Sequence, residues 1–252
     1  MDSIPDRAGT ARLGVIGGVG PIATADLYRL LVARHRQATG GTYPDVVVHS
    51  LPLSAGLETA FITGTADGSH RAEITALLRE ALDLFEGAGV RHVVLPCNTL
   101  HAYLPGLLRG RSLGWVDMVT AVHHRLAADR RRRVLLLGTG STVTSDLYRN
   151  TAGVEFARPA AAAQREVESL VLSCLDGDLS GVPASRLRRL AASAGPVDAL
   201  LLACTDLHLL RDRTDFGVPV VDSLGCLADA CSRVLLAQPS PAAEAVGSGA
   251  PR

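Results

Sequence analysis

The chain contains no lysine: all 25 of its basic residues are arginine. An enzyme that holds pyridoxal phosphate as a lysine Schiff base is thereby excluded, and so is a P-loop, which needs its lysine for phosphate. Neither sign of charge dominates, since 25 acidic residues balance the arginines. No polyanion-binding surface and no nucleic-acid partner are expected from such a balance. The one dense basic run, Arg130 to Arg133, lies directly before an apolar segment and reads as a solvated loop or helix end. No stretch reaches the roughly 18 apolar residues of a membrane span, and residues 1–11 lack the apolar core of a secretory signal, so no membrane partner is expected. The five cysteines show neither CxxC nor Cys/His metal spacing. They are read as reduced thiols of a cytoplasmic protein, with no metal site and no disulfide framework.

What is present is a chain of 252 residues, 47% hydrophobic, enough for one large or two small domains with true cores. Short apolar runs at 12–17, 45–51, 90–95, 115–118, 133–137, 154–157, 198–203 and 218–222 have the length and composition of buried strands. Helical periodicity fills 22–37, 69–87, 99–108, 119–129, 145–150, 161–175, 185–194 and 224–236, whereas 52–68 reads as a looser stretch. Strands alternating with helices imply parallel sheets covered on both faces. Residues 1–11 and 237–252 have too little to bury and are expected to be disordered.

A weak internal repeat organises this alternation. Strand, glycine-rich turn and helix at 13–28 recur at 134–148, down to a shared Asp-Leu-Tyr (Asp26, Leu27, Tyr28; Asp146, Leu147, Tyr148). The run VVLPCNTLH at 93–101 has a counterpart in ALLLACTDLH at 199–208. Two similar lobes facing each other across a cleft are the architecture this repeat predicts.

The chemistry-bearing residues sit at the repeated strand ends, where open α/β sheets bind their ligands. Cys97 precedes Asn98 and Thr99; Cys204 precedes Thr205 and Asp206. Backbone amides at a helix start, with hydroxyl and amide side chains, suit a carboxylate ligand, and the same position lowers a thiol pKa. Cys174, Cys226 and Cys231, on helical faces, read as small buried hydrophobes. His101 and His208 each follow a cysteine by four residues, an arrangement that also admits nucleophilic hydrolysis. Gly18, Gly20 and Ala23 fit a GxGxxA turn after the first strand. The acidic residue of a dinucleotide fingerprint is missing from the end of the second strand, where His49 and Ser50 stand and Asp45 lies at the beginning. A tight strand-to-helix turn and a loop lining an anionic ligand are the other readings of that segment.

These motifs resemble the aspartate/glutamate racemase superfamily, most closely its aspartate racemase branch. GGVGPIAT at 17–24 is similar to the family's GGMGPLAT-like turn, and PCNTLH at 96–101 to its PCNTAH. Thr139 and Thr142 in GTGST match an ATxGT-like turn, ACTD at 203–206 a GCTE motif, and VPVVDS at 218–223 the last strand. The matches run in order from about 13 to 236 and include both cysteines.

The resemblance implies two Rossmann- or flavodoxin-like lobes related by a pseudo-twofold axis, with the active site between them. The first lobe would comprise 12–112 and 218–236, with the last strand and helix returning to it, and the second 113–217. It implies cofactor-free 1,1-proton transfer at the α-carbon of an amino acid. One of Cys97 and Cys204 removes the proton from one face and the other protonates the opposite face. Asn98, Thr99, Thr139, Thr142 and Thr205 would hold the α-carboxylate, and a homodimer is implied. Ionising a free thiol at pH 7 costs roughly 2 kcal/mol. An α-carbon acid about ten to twenty units weaker adds a mismatch of roughly 14 to 27 kcal/mol. That gap must be narrowed by hydrogen bonds to the carboxylate in a dry cleft.

Two positions depart from the family. An arginine that contacts the substrate's side-chain carboxylate usually stands before Thr-Ala-Phe; here Glu58 precedes Thr59, Ala60 and Phe61. A second-lobe lysine with the same task is absent, and its nearest counterpart falls at Asp176. Reversed charge reverses the preference of a pocket, which suggests a racemase for a neutral or basic side chain; the alternative is that Glu58 faces solvent and Arg71 or another arginine substitutes. The superfamily also contains arylmalonate decarboxylases, maleate isomerases and hydantoin racemases, and a non-catalytic small-molecule binder on the same fold is a further alternative.

Overall fold

The computed structural model describes residues 11–145, 147–149, 153–175, 182–192, 195–213 and 215–237. Strand β1 (Leu13–Gly17) is followed by α1 (Pro21–Thr39), with proline in its first turn, where the missing N–H costs nothing. Strand β2 (Val46–Ser50) leads to α2 (Ala55–Thr63), whose first turn is closed by the Ser54 side chain accepting from the Leu57 amide. Asp67 and His70 form a reciprocal capping box at the start of α3 (Gly68–Gly87). Strand β3 (His92–Val94) runs into a 3₁₀ turn (His101–Tyr103) and the short α4 (Leu104–Leu107). Then come β4 (Gly114–Trp115), α5 (Met118–Ala128), β5 (Arg133–Leu137) and α6 (Gly140–Thr144). The second half closes with β6 (Glu155–Ala157), α7 (Ala161–Leu175), α8 (Ala184–Ala192), β7 (Ala199–Leu202), a 3₁₀ segment (Thr205–Leu210), β8 (Val220–Asp222) and α9 (Ser223–Leu236).

All eight expected strands are found. Helix α2 lies in the stretch read as loose, because its glycines and prolines flank a run whose Leu57, Ala60, Phe61 and Ile62 are all buried. The helix expected at 145–150 is displaced: α6 occupies 140–144, where Thr139 caps it through the Thr142 amide. Asp146, Asn150 and the expected disordered tails, apart from Ala11 and Ala237, lie outside the described residues.

The strands form two parallel four-stranded sheets of identical topology, β2-β1-β3-β4 and β6-β5-β7-β8. This corrects the expected lobe boundary. The last strand does not return to the first lobe: β8 pairs with β7, Leu200 opposite Val220. Conversely β4, at 114–115, pairs with β3 rather than opening the second lobe. Each sheet is completed by the strand that directly follows its own cysteine loop, so no crossing between lobes is required at that point.

The crossing is made by helices instead. Along β1, Leu13 and Val15 face one side and Ile16 the other; along β5 and β7 the same period of two separates Val134, Leu136 and Leu201 from Leu135, Leu137 and Leu200. Helix α5 follows β4 of the first sheet, yet Ala121, Val122 and Leu126 bury against Val134, Leu136 and Leu201 of the second. Helix α9 follows β8 of the second sheet, yet Leu224, Leu227 and Leu235 bury against Leu13 and Val15 of the first. The lobes thus exchange helices reciprocally. A fully buried leucine stabilises by about 1.5–3 kcal/mol, so each exchanged helix binds its host lobe through several such side chains.

Candidate active site

Both cysteine loops leave the carboxyl ends of the third strand of their sheets and face one cleft. After β3, the Cys97 amide donates to the Leu95 carbonyl at 2.8 Å, folding the chain sharply at Pro96. After β7, Cys204 opens the 3₁₀ segment. The Thr205 hydroxyl donates to the Pro96 carbonyl at 2.8 Å and stitches one loop to the other. Cys97 and Cys204 are buried to nearly the same degree, 7% and 6% exposed.

Of the residues expected to hold a carboxylate, Asn98, Thr99, Thr139 and Thr205 line this cleft together with Glu58, while Thr142 stands behind Thr139. Three hydroxyls meet across the lobes: Thr99 lies 2.9 Å from Thr139 and 3.4 Å from Thr142, and Thr139 donates to Thr142 at 3.0 Å. Asn98 is tied at both ends. Its amide nitrogen donates to Ser223 at 3.1 Å, its oxygen accepts from the Tyr148 hydroxyl at 2.7 Å, and Ser223 donates to the Leu202 carbonyl. The other N–H of that amide has no partner among the described residues, so Asn98 can still donate to a ligand. The Asp-Leu-Tyr repeat therefore has unequal copies: Tyr148 is buried against Asn98, whereas Tyr28 is 47% exposed.

The cleft is electronegative. Glu58, near the start of α2, accepts from the Gly20 amide at 3.2 Å, and Asp206 comes in from the second lobe. Among the described residues no arginine or histidine lines the cleft; besides the two thiols, the ionisable groups are these two carboxylates. Asp206 is buried, its Oδ1 has no hydrogen-bond partner among the described residues, and Oδ2 accepts from the Cys204 thiol at 3.5 Å. Burial, reinforced by Glu58, pushes its carboxyl up to about 7. Burial likewise pushes Cys97 up to about 12, against the pull of the Leu100 and Thr99 amides and with Asp206 and Glu58 adding to the rise. Cys204 is driven well above the ordinary thiol range, by burial first and Asp206 second. The lowering expected from a helix start does not prevail, because burial outweighs the amide donors and the surrounding carboxylates add to the rise.

Asp206 is the residue that the sequence reading left out of its candidate set, although the repeat marks it: it stands two positions after Cys204, as Thr99 does after Cys97. The same repeat explains the two histidines. His101 bonds Asp117 at 2.7 Å, and Asp117 caps α5 through the Val119 and Thr120 amides. His208 bonds Asp222 at 2.5 Å, and Asp222 caps α9 through the Leu224 and Gly225 amides. Each histidine thus holds the N-cap of an exchanged helix, and neither lines the cleft. Burial of Asp117 works to raise its pKa, but hydrogen bonds from His101 and Thr120 outweigh it and hold the carboxyl at about 2. His208 is raised, chiefly by its bond to Asp222.

The GxGxxA turn is filled by protein. Gly18 sits at φ +84° with room only for the Leu51 backbone, and Gly20, at φ +74°, abuts the Asp206 carboxylate. Both positive φ values favour glycine. Arg71 donates to the Ala66 carbonyl and lines a separate open groove that adjoins Thr99, not the cleft itself. Asp176 lies outside the described residues. Among the described residues no cluster of His, Cys, Asp and Glu has the arrangement of a metal site, and no helix is long and apolar enough to cross a membrane.

The broad specificity amino-acid racemase RacX of Bacillus subtilis is 23% identical over 235 residues, which cover 90% of this chain and 100% of that protein. The aspartate racemase of Picrophilus torridus superposes with a TM-score of 0.70 at 21% identity, over 91% of this chain and 95% of its own. An aspartate racemase homologue from Pyrococcus horikoshii superposes with a TM-score of 0.68 at 23% identity, over 89% and 99%. These structures share the fold. The sequence itself matches the Asp/Glu/hydantoin racemase family over residues 16–231. The chain belongs to that family and is an isomerase of the racemase type.

Proposed function

We propose that the protein racemises a free amino acid without a cofactor, with Cys97 and Cys204 working from opposite faces of the α-carbon. The observation that carries this reading is that two thiols, from equivalent strand ends of two equivalent sheets, line one cleft. In one direction the α C–H bond breaks, its proton moves to the Cys97 thiolate, and the electron pair is left on the α-carbon and its carboxylate. The Cys204 S–H bond then breaks and delivers a proton to the other face. Two groups of one chemical kind suit a reaction in which each serves as acid in one direction and base in the other. The second N–H of Asn98 is the donor directly available to the carboxylate as charge builds on it, joined by the Thr99 and Thr139 hydroxyls when they turn from their bonds to each other and to Thr142.

The same reading extends to the side chain. With Glu58 and Asp206 along the cleft and no cationic group beside them among the described residues, an acidic side chain would be repelled and a neutral or basic one accepted. A reducing cytoplasm, which keeps both thiols free, and a homodimer complete the proposal. The test is α-proton exchange in deuterated water across a panel of amino acids, read by mass spectrometry. Exchange is expected on neutral and basic amino acids and should disappear in Cys97→Ala and Cys204→Ala; exchange confined to aspartate and glutamate would sink the side-chain assignment, and unaltered exchange in both variants would sink the mechanism.

A further inference from the structure

The two half-sites have the same topology but different chemistry at one position. Two residues after Cys97 stands Thr99, whose hydroxyl is engaged by Thr139; two residues after Cys204 stands Asp206, whose Oδ2 lies 3.5 Å from the sulfur. The Cys97 sulfur receives the backbone amides of Leu100 and Thr99 and the Cys204 sulfur that of Asp206, but among the described residues only Cys204 has a carboxylate within hydrogen-bond reach as well. Donors directed at a sulfur favour its thiolate, whereas a carboxylate beside a sulfur favours its thiol. Access does not separate the two, since both are equally buried.

We propose that Asp206 makes the two thiols unequal: by accepting the Cys204 S–H and opposing a second negative charge beside it, Asp206 keeps Cys204 as the acid and leaves Cys97 as the base of the resting enzyme. This rests on the two-cysteine racemase reading and assigns Asp206 as a positioning residue that acts through Cys204. Among the described residues the groups facing it are Cys204 on its own segment, Glu58 from α2, Cys97 from the opposite loop and Cys174 from α7. None is cationic. After turnover in the direction described, the Cys204 thiolate stands beside Asp206 as a second buried anion. That enzyme form is the less stable of the two, so the enantiomer whose α-proton faces Cys97 meets the more populated form. The two enantiomers then differ in kcat and in KM by the same factor, because kcat/KM must be equal for mirror-image substrates of equal free energy.

The experiment alkylates the whole protein with iodoacetamide from pH 6 to 9 and follows each cysteine by peptide mass spectrometry. Cys97 is expected to react about tenfold or more faster than Cys204, one pKa unit or more in thiolate fraction. Asp206→Asn should bring the ratio close to one, Asp206→Glu should restore it, and in the unaltered protein the ratio should narrow below about pH 7, where Asp206 takes up a proton. Equal rates in the unaltered protein above that pH overturn the proposal, as does an unchanged ratio in a folded Asp206→Asn variant. If Asp206→Asn does not fold, the pH series and Asp206→Glu decide by the same criteria. Alkylation needs no turnover: a biased ratio without α-proton exchange on any amino acid defeats the racemase reading and leaves the inequality of the thiols, whereas exchange with an unbiased ratio defeats the role given to Asp206.

Discussion

Gly20 shows how much a single position in this protein must satisfy. Its φ of +74° is unfavourable for any side chain, its amide serves Glu58, and its Cα rests against the Asp206 carboxylate of the other lobe. Gly20→Ala is therefore expected to cost more than about 1 kcal/mol and to lower exchange activity with it, as read by urea titration and the deuterium assay. Glu58 is a cleaner test of specificity. Replacing it by glutamine removes one of the two cleft carboxylates, and exchange on lysine or arginine should fall about tenfold more than exchange on alanine, equivalent to about 1.4 kcal/mol. At His208 the expectation concerns stability. Its pKa is raised in the folded protein by Asp222, with Asp26 adding and Arg211 opposing, so its contribution is complete below the unfolded value of 6.5 and is lost as pH rises through the folded one. The stability gap between the unaltered protein and His208→Gln, measured by urea titration, should be larger at pH 5.5 than at pH 9.

At the scale of elements, the caps of α5 and α9 matter more than a helix cap usually does. Asp117 and Asp222 each accept two first-turn amides and a histidine, and each begins a helix that leaves its own sheet for the other. Removing an N-cap carboxylate typically costs about 1 kcal/mol; here a buried imidazole loses its partner as well, so Asp117→Ala and Asp222→Ala should each exceed that figure in thermal or urea melts. His101 and His208 were visible in the sequence as residues four beyond a cysteine, but their task was not. Their partners lie 16 and 14 residues further on, after a strand whose placement fixes the distance. Helix α2 was also illegible, because Ser54 and Gly64 bound a run too short for a clear period, and its stability comes from Leu57 and Phe61 packing under the cleft.

For the molecule as a whole, the helix exchange predicts one cooperative transition rather than two. Without α9, Leu13 and Val15 lose their cover; without α5, Val134 and Leu201 lose theirs. Fluorescence of Trp115, the single tryptophan and part of the first sheet, should therefore report the same urea midpoint as far-ultraviolet circular dichroism, which reports both lobes. Separate midpoints would show that the lobes unfold independently. Cross-lobe bonds from Thr205 to Pro96 and from Ser141 to the Phe61 carbonyl reinforce this coupling directly at the cleft.

The linear sequence by itself determined the alternation of strands and helices, the two-lobe repeat and the pair Cys97 and Cys204, because these rest on local periodicity and on motifs contiguous in the chain. It also carried Glu58 directly before Thr59, Ala60 and Phe61. Tertiary structure decided which sheet takes β4 and β8, since strand pairing is a choice among alternatives of equal local propensity. It decided that α5 and α9 cross, since an amphipathic face does not name the surface that will cover it. And it decided the surroundings of VVLPCNTLH at 93–101. Cys97, Cys204, Asp206 and Glu58 share one cleft only after distant segments are brought together, and the burial that results is what raises both thiols.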